Sequence, residues 1–289
     1  MLVKKWILLS ILFSTKMLMA QNVSAYKIYN DKGKAQSFEK MMKQLASYDM
    51  VLVGEYHNNS IVHWLELNIA KHLYASSKKK IMIGAEMYER DNQEALNKYL
   101  QNKIDEKGLG TEARLWKNHT TDYLPILNFA KDKKIPFIAT NIPRKYASIV
   151  AKKGVDSLIL TDTEKPWVVK LPFEVSLETP GYQEMFKMMG DHAGTQAMNF
   201  VSAQAIKDAT MAESILKYWQ PGNVFIHFHG DFHSKQFGGI YWYLKKANPN
   251  LKVAVISLAE SDDIHLPLPK DFIKTNFNIV IPSDMTKTY

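Results

Sequence analysis

Five short apolar runs, at residues 50–53, 81–85, 136–140, 223–228 and 252–258, punctuate the chain. Most lack the apolar/polar alternation of a strand that is wet on one face. That is how strands covered on both faces read, so the runs predict a parallel sheet. Between them apolar positions recur at helical spacing: Ile61, Leu65, Ile69 and Leu73 in one stretch, then residues 123–133, 144–152 and 241–247. Strand and helix alternate, which predicts an α/β chain whose parallel strands are joined by right-handed crossovers.

The interval 155–220 breaks this rhythm. Pro166, Pro172 and Pro180 mark a loosely ordered stretch, and a long helical pattern follows from 195 to 219, with Val201, Ala205, Asp208, Ala212, Ile215 and Trp219 on one stripe. It reads as a helical insertion that covers one end of the sheet. Residues 271–289 read as an extended closing segment.

The polar residues collect where the apolar runs stop. After the first run comes Gly54-Glu55-Tyr56-His57-Asn58-Asn59, and after the second Glu86-Met87-Tyr88-Glu89-Arg90-Asp91. The third is followed by Asn141-Ile142-Pro143-Arg144, and the fourth by His229-Gly230-Asp231-Phe232-His233. In an open parallel sheet, ligands bind beyond the carboxyl ends of the strands, where loops converge and helix N-termini present unpaired N–H groups. Each cluster also has a plain reading: Asn59, Ser60 or Asp91 as a helix cap, Pro143 in a first helical turn, Glu55 as a buried carboxylate with an arginine partner. Four clusters on one edge predict a shared rim, lined by Glu55, His57, Glu86, Arg144, His229 and His233.

His227 and His229 are two apart and share a face of the fourth strand. With His233, Glu55 and Glu86 they offer the ordinary ligands of a divalent metal, although no compact metal-binding spacing such as HExxH occurs. Gln204 and Asp208 place a polar pair on the otherwise apolar stripe of the long helix, and a buried carboxylate there needs partners. Met185, Met188, Met189 and Met198 cluster in the same region, as core packing or as cover for a flat apolar ligand. His63, His72, His119, His192 and His265 lack such a context and read as surface or core histidines. Of these, His192 lies where it can reach over the rim.

Composition narrows the classes. The 289 residues are 46% hydrophobic and 23% charged, enough for a well-buried core. Lys4 and Lys5 precede an apolar run from Trp6 to Phe13, and Leu18-Met19-Ala20 ends in a small residue, the pattern of a secretory signal over residues 1–20. Its removal takes three lysines and lowers the formal charge from +8 to +5. The lysines are scattered apart from Lys78-Lys79-Lys80, which argues against nucleic acid as a partner. There is no cysteine, so no disulfide supports the fold, and Gln21 stands where a lipidated cysteine would be. The expectation is an exported protein, periplasmic or outer-membrane associated, without a lipid anchor.

Five strings occur in order across most of the chain: VLVGEYHNN (51–59), GAEMYERDNQ (84–93), FIATNIPR (137–144), AQAIKDATMAESI (203–215) and HGDFHS (229–234). Together they resemble the ChaN-like family of haem-binding proteins, within the superfamily that also holds the Tiki and TraB proteins and the erythromycin esterases. The resemblance implies a domain over 21–289 with a Rossmann-like, mostly parallel sheet flanked by helices, and with the 155–220 insertion covering the C-terminal edge of its strands. It implies haem as the cofactor, held at the junction of sheet and insertion in the service of iron acquisition. An outer-membrane haem receptor is then a candidate partner, and a homodimer a candidate assembly. It also implies a tyrosine as the iron ligand, for which Tyr56, Tyr88, Tyr123, Tyr146 and Tyr182 are the candidates by position. A phenolate suits ferric iron because the metal's charge favours the ionised form. Arg90 and Arg144 offer planar forks to the haem propionates, and Asn141 completes the rim. No catalysis is required by this reading. The competing one is a metal-dependent hydrolase in which Glu55 or Glu86 acts as base or ligand beside His57, His229 and His233; a non-catalytic module for another anionic ligand uses the same residues.

Overall fold

The computed structural model describes residues 23–190, 194–269 and 275–289; the expected leader and His192 lie outside them. A short hairpin, β1 (Lys27–Asn30) and β2 (Ala35–Gln36), is followed by α1 (Phe38–Leu45) and β3 (Met50–Glu55). Next come α2 (Ser60–Ser76), β4 (Ile81–Glu89), α3 (Gln93–Leu100), α4 (Glu106–Glu112), α5 (Leu124–Lys133), β5 (Phe137–Asn141) and α6 (Arg144–Lys153). A long stretch then leads to α7 (Tyr182–Met188) and α8 (Gly194–Tyr218), before β6 (Val224–Gly230), α9 (Gly239–Ala247), β7 (Val253–Ser261) and β8 (Phe277–Pro282).

The eight strands form one sheet in the order β2-β1-β8-β7-β3-β6-β4-β5. From β8 to β5 every neighbouring pair is parallel, while β1 runs antiparallel to both β2 and β8. The α/β expectation with a mostly parallel sheet is therefore met. Three strands had no expectation of their own: β1 and β2 are short edge elements, and β8 lies inside the closing segment.

β3 shows why the alternation was missing. Val51 and Val53 point into the large core that contains Leu65, Ile69 and Leu73 of α2 and Leu127 of α5. Met50 and Leu52 point to the opposite face, into a core with Met211, Ala212 and Ile215 of α8 and with Ile240 and Leu244 of α9. Both faces are covered, so both sets of alternate positions must be apolar. Asn59 caps α2 by accepting from the backbone N–H of Ile61 and Val62, which starts that helix directly beyond the end of β3.

α8 belongs to more than the insertion. Near its start, Val201 and Ala205 pack on Tyr182 of α7. Ala203 and Ile206 pack on Tyr146, Ala147 and Val150 of α6. Its last turns lie on the sheet itself, so the same helix reaches from the rim down one face of the sheet. Among the described residues no helix is long and apolar enough to cross a membrane.

Candidate functional site

Register brings the polar clusters together. Gly54 pairs with His229 and Glu55 with Gly230 across the parallel β3–β6 ladder, and Ala85 of β4 pairs with Phe228 on the other side of β6. Because the strands are parallel, Glu55, Glu86 and the turn after His229 leave the sheet at one edge. Two approaches there depend on the absence of a side chain. A Cβ on Gly54 would lie 2.3 Å from Asp231 Oδ1, and one on Gly230 would lie 2.8 Å from His57 Nε2.

The base of the site is a chain of buried ion pairs. Glu86 accepts from the Gly230 backbone N–H at 2.8 Å through Oε2 and from His233 Nε2 at 3.1 Å through Oε1. His233 donates its other ring N–H to Asp208, and Tyr182 donates to the second oxygen of Asp208 at 2.6 Å. Burial opposes charge on His233, but Glu86 and Asp208 outweigh it and push the imidazole up to about 10. Burial would likewise raise Glu86, yet His233 and His57 hold it well below the usual carboxylate range. The pair is an imidazolium and a carboxylate at neutral pH.

Beside it, Glu55 accepts through Oε1 from His57 Nδ1 and, at 2.9 Å, from the Tyr123 hydroxyl. The His57 and Trp116 rings meet edge to face with centroids 4.8 Å apart, and the His57 side chain is 33% exposed, so it faces the opening. Asp231 turns back toward the sheet, where Ser257 Oγ (2.6 Å) and the Leu258 N–H (3.1 Å) donate to its Oδ1. Burial raises Asp231 to about 6 despite these donors.

Above this base opens a cleft of about 560 Å³. Tyr56, His57, Met185, Phe232, Lys235 and Tyr289 form its walls, with Gln204 contributed by α8. A second cavity of about 570 Å³ lies under residues 158–171, lined by Leu158, Leu160, Val168 and Leu171 with Arg90, Glu213 and Lys217. It contains none of the histidines or carboxylates of the sheet edge.

Of the residues expected at the rim, Glu55, His57, Glu86 and His233 converge on the cleft and its base. His229 is fully buried beneath it. Its Nδ1 lies 2.9 Å from His227 Nδ1, its Nε2 2.8 Å from Ser234 Oγ, and His227 Nε2 lies 2.7 Å from Thr140 Oγ1. Burial pushes His229 down to about 3 and His227 well below its ordinary value, so both are neutral links in an internal chain. Asn141 donates to the Glu86 carbonyl at 3.0 Å and so braces the turn of β4.

The arginines lie elsewhere. Arg90 bonds Ser214 Oγ, Glu213 and the Thr210 carbonyl, at 2.8, 2.8 and 2.5 Å, and so pins α8 to the end of β4. Arg144 is exposed at the start of α6 and is not among the residues that line the cleft.

The five tyrosines separate in the same way. Tyr88 is buried with its hydroxyl 2.9 Å from His119 Nε2. Tyr123 serves Glu55, Tyr182 serves Asp208, and Tyr146 is packed between α6 and α8. Tyr56 alone of the five lines the cleft, its hydroxyl 3.3 Å from the Leu258 carbonyl. Burial, then Asp231 and Glu260, raise its phenol above the ordinary value. Tyr289 was not expected there. It arrives because the C-terminal tail returns alongside the β3–α2 turn, where Thr288 N–H bonds the Asn58 carbonyl at 2.9 Å and Thr288 Oγ1 bonds Asp122 at 2.8 Å. No pattern in the sequence around Tyr289 signals that return.

Residues 41–244 match the family described as haem-binding uptake, Tiki superfamily, ChaN. Among solved structures the fold is similar to that of ChaN of Campylobacter jejuni, described by its cofacial heme binding. The two are 18% identical with a TM-score of 0.68, over 89% of this chain and 97% of that one. A Bacillus cereus protein is 11% identical with a TM-score of 0.51, over 84% of this chain and 90% of its own. An erythromycin esterase mutant in its open conformation reaches a TM-score of 0.46 at 10% identity, over 90% and 83% of the two chains, too distant a likeness to carry an argument. No curated protein matches the sequence significantly.

Proposed function

Because the chain belongs to the haem-binding uptake family ChaN of the Tiki superfamily, we propose that it binds haem in the cleft beyond β3 and β6, as an exported component of haem or iron acquisition. The observation that carries this reading is Tyr56. It is the one candidate tyrosine on the wall of an open cleft of about 560 Å³, within the size range of small-molecule sites. The residues present fit the group. Phe232, Met185 and Tyr289 offer apolar and aromatic surface to a flat macrocycle, Lys235 brings positive charge to the same wall for a propionate, and Tyr56 offers a phenol oxygen. Bound haem would supply a ferric centre whose charge favours the ionised phenol. Beneath it, the Glu86–His233–Asp208 chain has its ring nitrogens committed to carboxylates, which leaves Tyr56, Tyr289 and the partly exposed His57 as the ligand atoms on offer. The apolar run after Lys4 and Lys5 supports export.

Titration of the purified protein with hemin, followed by absorbance, tests this. Saturable binding with a high-spin phenolate spectrum is expected, lost or converted to a different ligand field in Tyr56→Phe. No saturable change, or a spectrum untouched by Tyr56→Phe, would remove the assignment.

A hydrolase reading is favoured by one observation, the His57 imidazole backed by buried Glu55 at the mouth of the cleft, a base held by an orienting carboxylate. It predicts turnover that disappears in Glu55→Gln, whether or not hemin binds.

A further inference from the structure

Behind His57, on the side of Glu55 away from the cleft, a second group of ionisable side chains is closed off from solvent. α2 begins five residues after the end of β3, and His63 and Glu66, three apart on that helix, face the Glu55 carboxylate. His63 Nδ1 lies 3.3 Å from Glu66 Oε2 and 3.5 Å from Glu55 Oε2. One donor atom from each of the three residues falls within 4.8 Å of the others. Donors bound to one tetrahedral ion at about 2.0–2.2 Å are separated by about 3.3–3.6 Å, so the two nitrogen–oxygen separations match those of ligands sharing a metal.

Two further observations point the same way. Glu66 is fully buried and Glu55 is 2% exposed, yet Glu66 Oε1 and Glu55 Oε2 accept from no N–H or hydroxyl group, and the two carboxyls meet one another instead. A buried carboxylate oxygen left unpaired is costly unless something else takes the lone pair. The far side of the imidazole is braced as well: His63 Nε2 donates to the His57 carbonyl at 3.3 Å and lies 3.4 Å from Asp122 Oδ2, which in turn accepts from Asn118 at 2.6 Å and from Thr288 at 2.8 Å. A backbone carbonyl or carboxylate at the other ring nitrogen is the usual support of a metal-bound histidine.

We propose that Glu55, His63 and Glu66 form a buried site for a divalent transition cation of the Zn²⁺ type, with Asp122 as the residue that orients His63. The donor set, one imidazole and two carboxylates, is ordinary for zinc and its neighbours. Ligand imidazole and carboxylates must be deprotonated to hold a dication, so binding would release protons. Glu55 is shared: Oε1 serves His57 on the cleft side, and Oε2 serves the ion. The site stands on these contacts and not on haem binding.

The test is a Zn²⁺ titration of the chelator-stripped full-length protein, by calorimetry in two buffers of different ionisation enthalpy and by competition with a chromophoric chelator. One tightly bound Zn²⁺ per chain is expected, with proton release and a raised Tm. Glu66→Gln and His63→Asn should each weaken binding by about 100-fold or more, and Asp122→Asn by about 10–100-fold, as loss of a supporting residue does. Glu66→Gln is nearly isosteric and leaves no unpaired charge behind, so its Tm without metal should hold, which keeps the result readable if His63→Asn fails to fold. Absence of stoichiometric Zn²⁺ binding overturns the proposal. So does binding that survives Glu66→Gln and His63→Asn but is lost in His233→Gln.

Discussion

The imidazole of His233 lies 3.1 Å from the Glu86 carboxylate, although 147 positions of sequence separate them. Its folded pKa of about 10 is above the unfolded value of about 6.5, so the stability it contributes is complete below pH ~6.5 and is lost as pH rises through about 10. Glu86 is depressed, so its contribution is present above the ordinary carboxylate range and is lost on acidification. Urea unfolding should therefore show a fall in stability between pH 7 and 10 that is smaller in His233→Gln, where only His63, raised to about 9, still contributes strongly to it. That variant should be less stable than the parent at pH 7 by about 3–5 kcal/mol, because Glu86 and Asp208 are left buried without their cation. A parent curve flat to pH 10 would contradict the pair.

Asp231 carries the sign opposite to that of Glu86. Burial raises its folded pKa to about 6 from an unfolded value of about 3.9. Stability from the protonated form is therefore full below pH ~4 and lost as pH rises through about 6. An amide keeps the acceptor used by Ser257 and Leu258 without the charge. Asp231→Asn should be more stable than the parent at pH 7 by up to about 2–3 kcal/mol, with the gain vanishing below pH ~4. Denaturation of both proteins across pH 3.5–7.5 checks this.

Gly230→Ala would place a Cβ 2.8 Å from His57 Nε2 and 3.0 Å from Cε1. The ring cannot simply swing aside, since Glu55 holds Nδ1 and Trp116 packs against it. A loss of about 1–3 kcal/mol is expected from overpacking, together with weaker hemin binding. Chemical denaturation and hemin titration of the variant report the two effects separately.

Arg90 and Arg144 should behave differently from one another. Arg90→Met removes the contacts to Glu213, Ser214 and the Thr210 carbonyl, and about 2–4 kcal/mol of stability is expected to go with them. Hemin affinity well below the melting temperature should stay within twofold. Arg144→Ala, at an exposed position, should stay within about 0.5 kcal/mol of the parent. A large loss of hemin affinity in either variant would return that arginine to the propionates.

Much of the architecture was legible in the chain. Uninterrupted apolar runs such as Met50 to Val53 announce strands buried on both faces, because no position on either side can be polar. Parallel pairing then follows, and with it the prediction that the polar clusters beginning at Gly54, Glu86, Asn141 and His229 share one edge. The family strings were readable for the same reason: Glu55, His57, Glu86 and His233 sit within a few residues of strand ends, so local order along the chain carries their placement.

Side-chain roles were decided only in three dimensions. Five tyrosines stood equal by position, and packing alone put Tyr56 on the wall of the cleft while Tyr123 and Tyr182 became donors to buried carboxylates. Arg90 belongs to a rim cluster in sequence, yet α8 offers it Glu213 and the Thr210 carbonyl, and a guanidinium goes where its donors are satisfied. His63 carried no signal because its partners come from Glu55, Glu66 and Asp122, the last of them 59 residues further along the chain. Tyr289 depends on the course of the C-terminal tail. Periodicity reports which face of an element is buried; which group lies opposite is a property of how elements from distant parts of the chain come to pack.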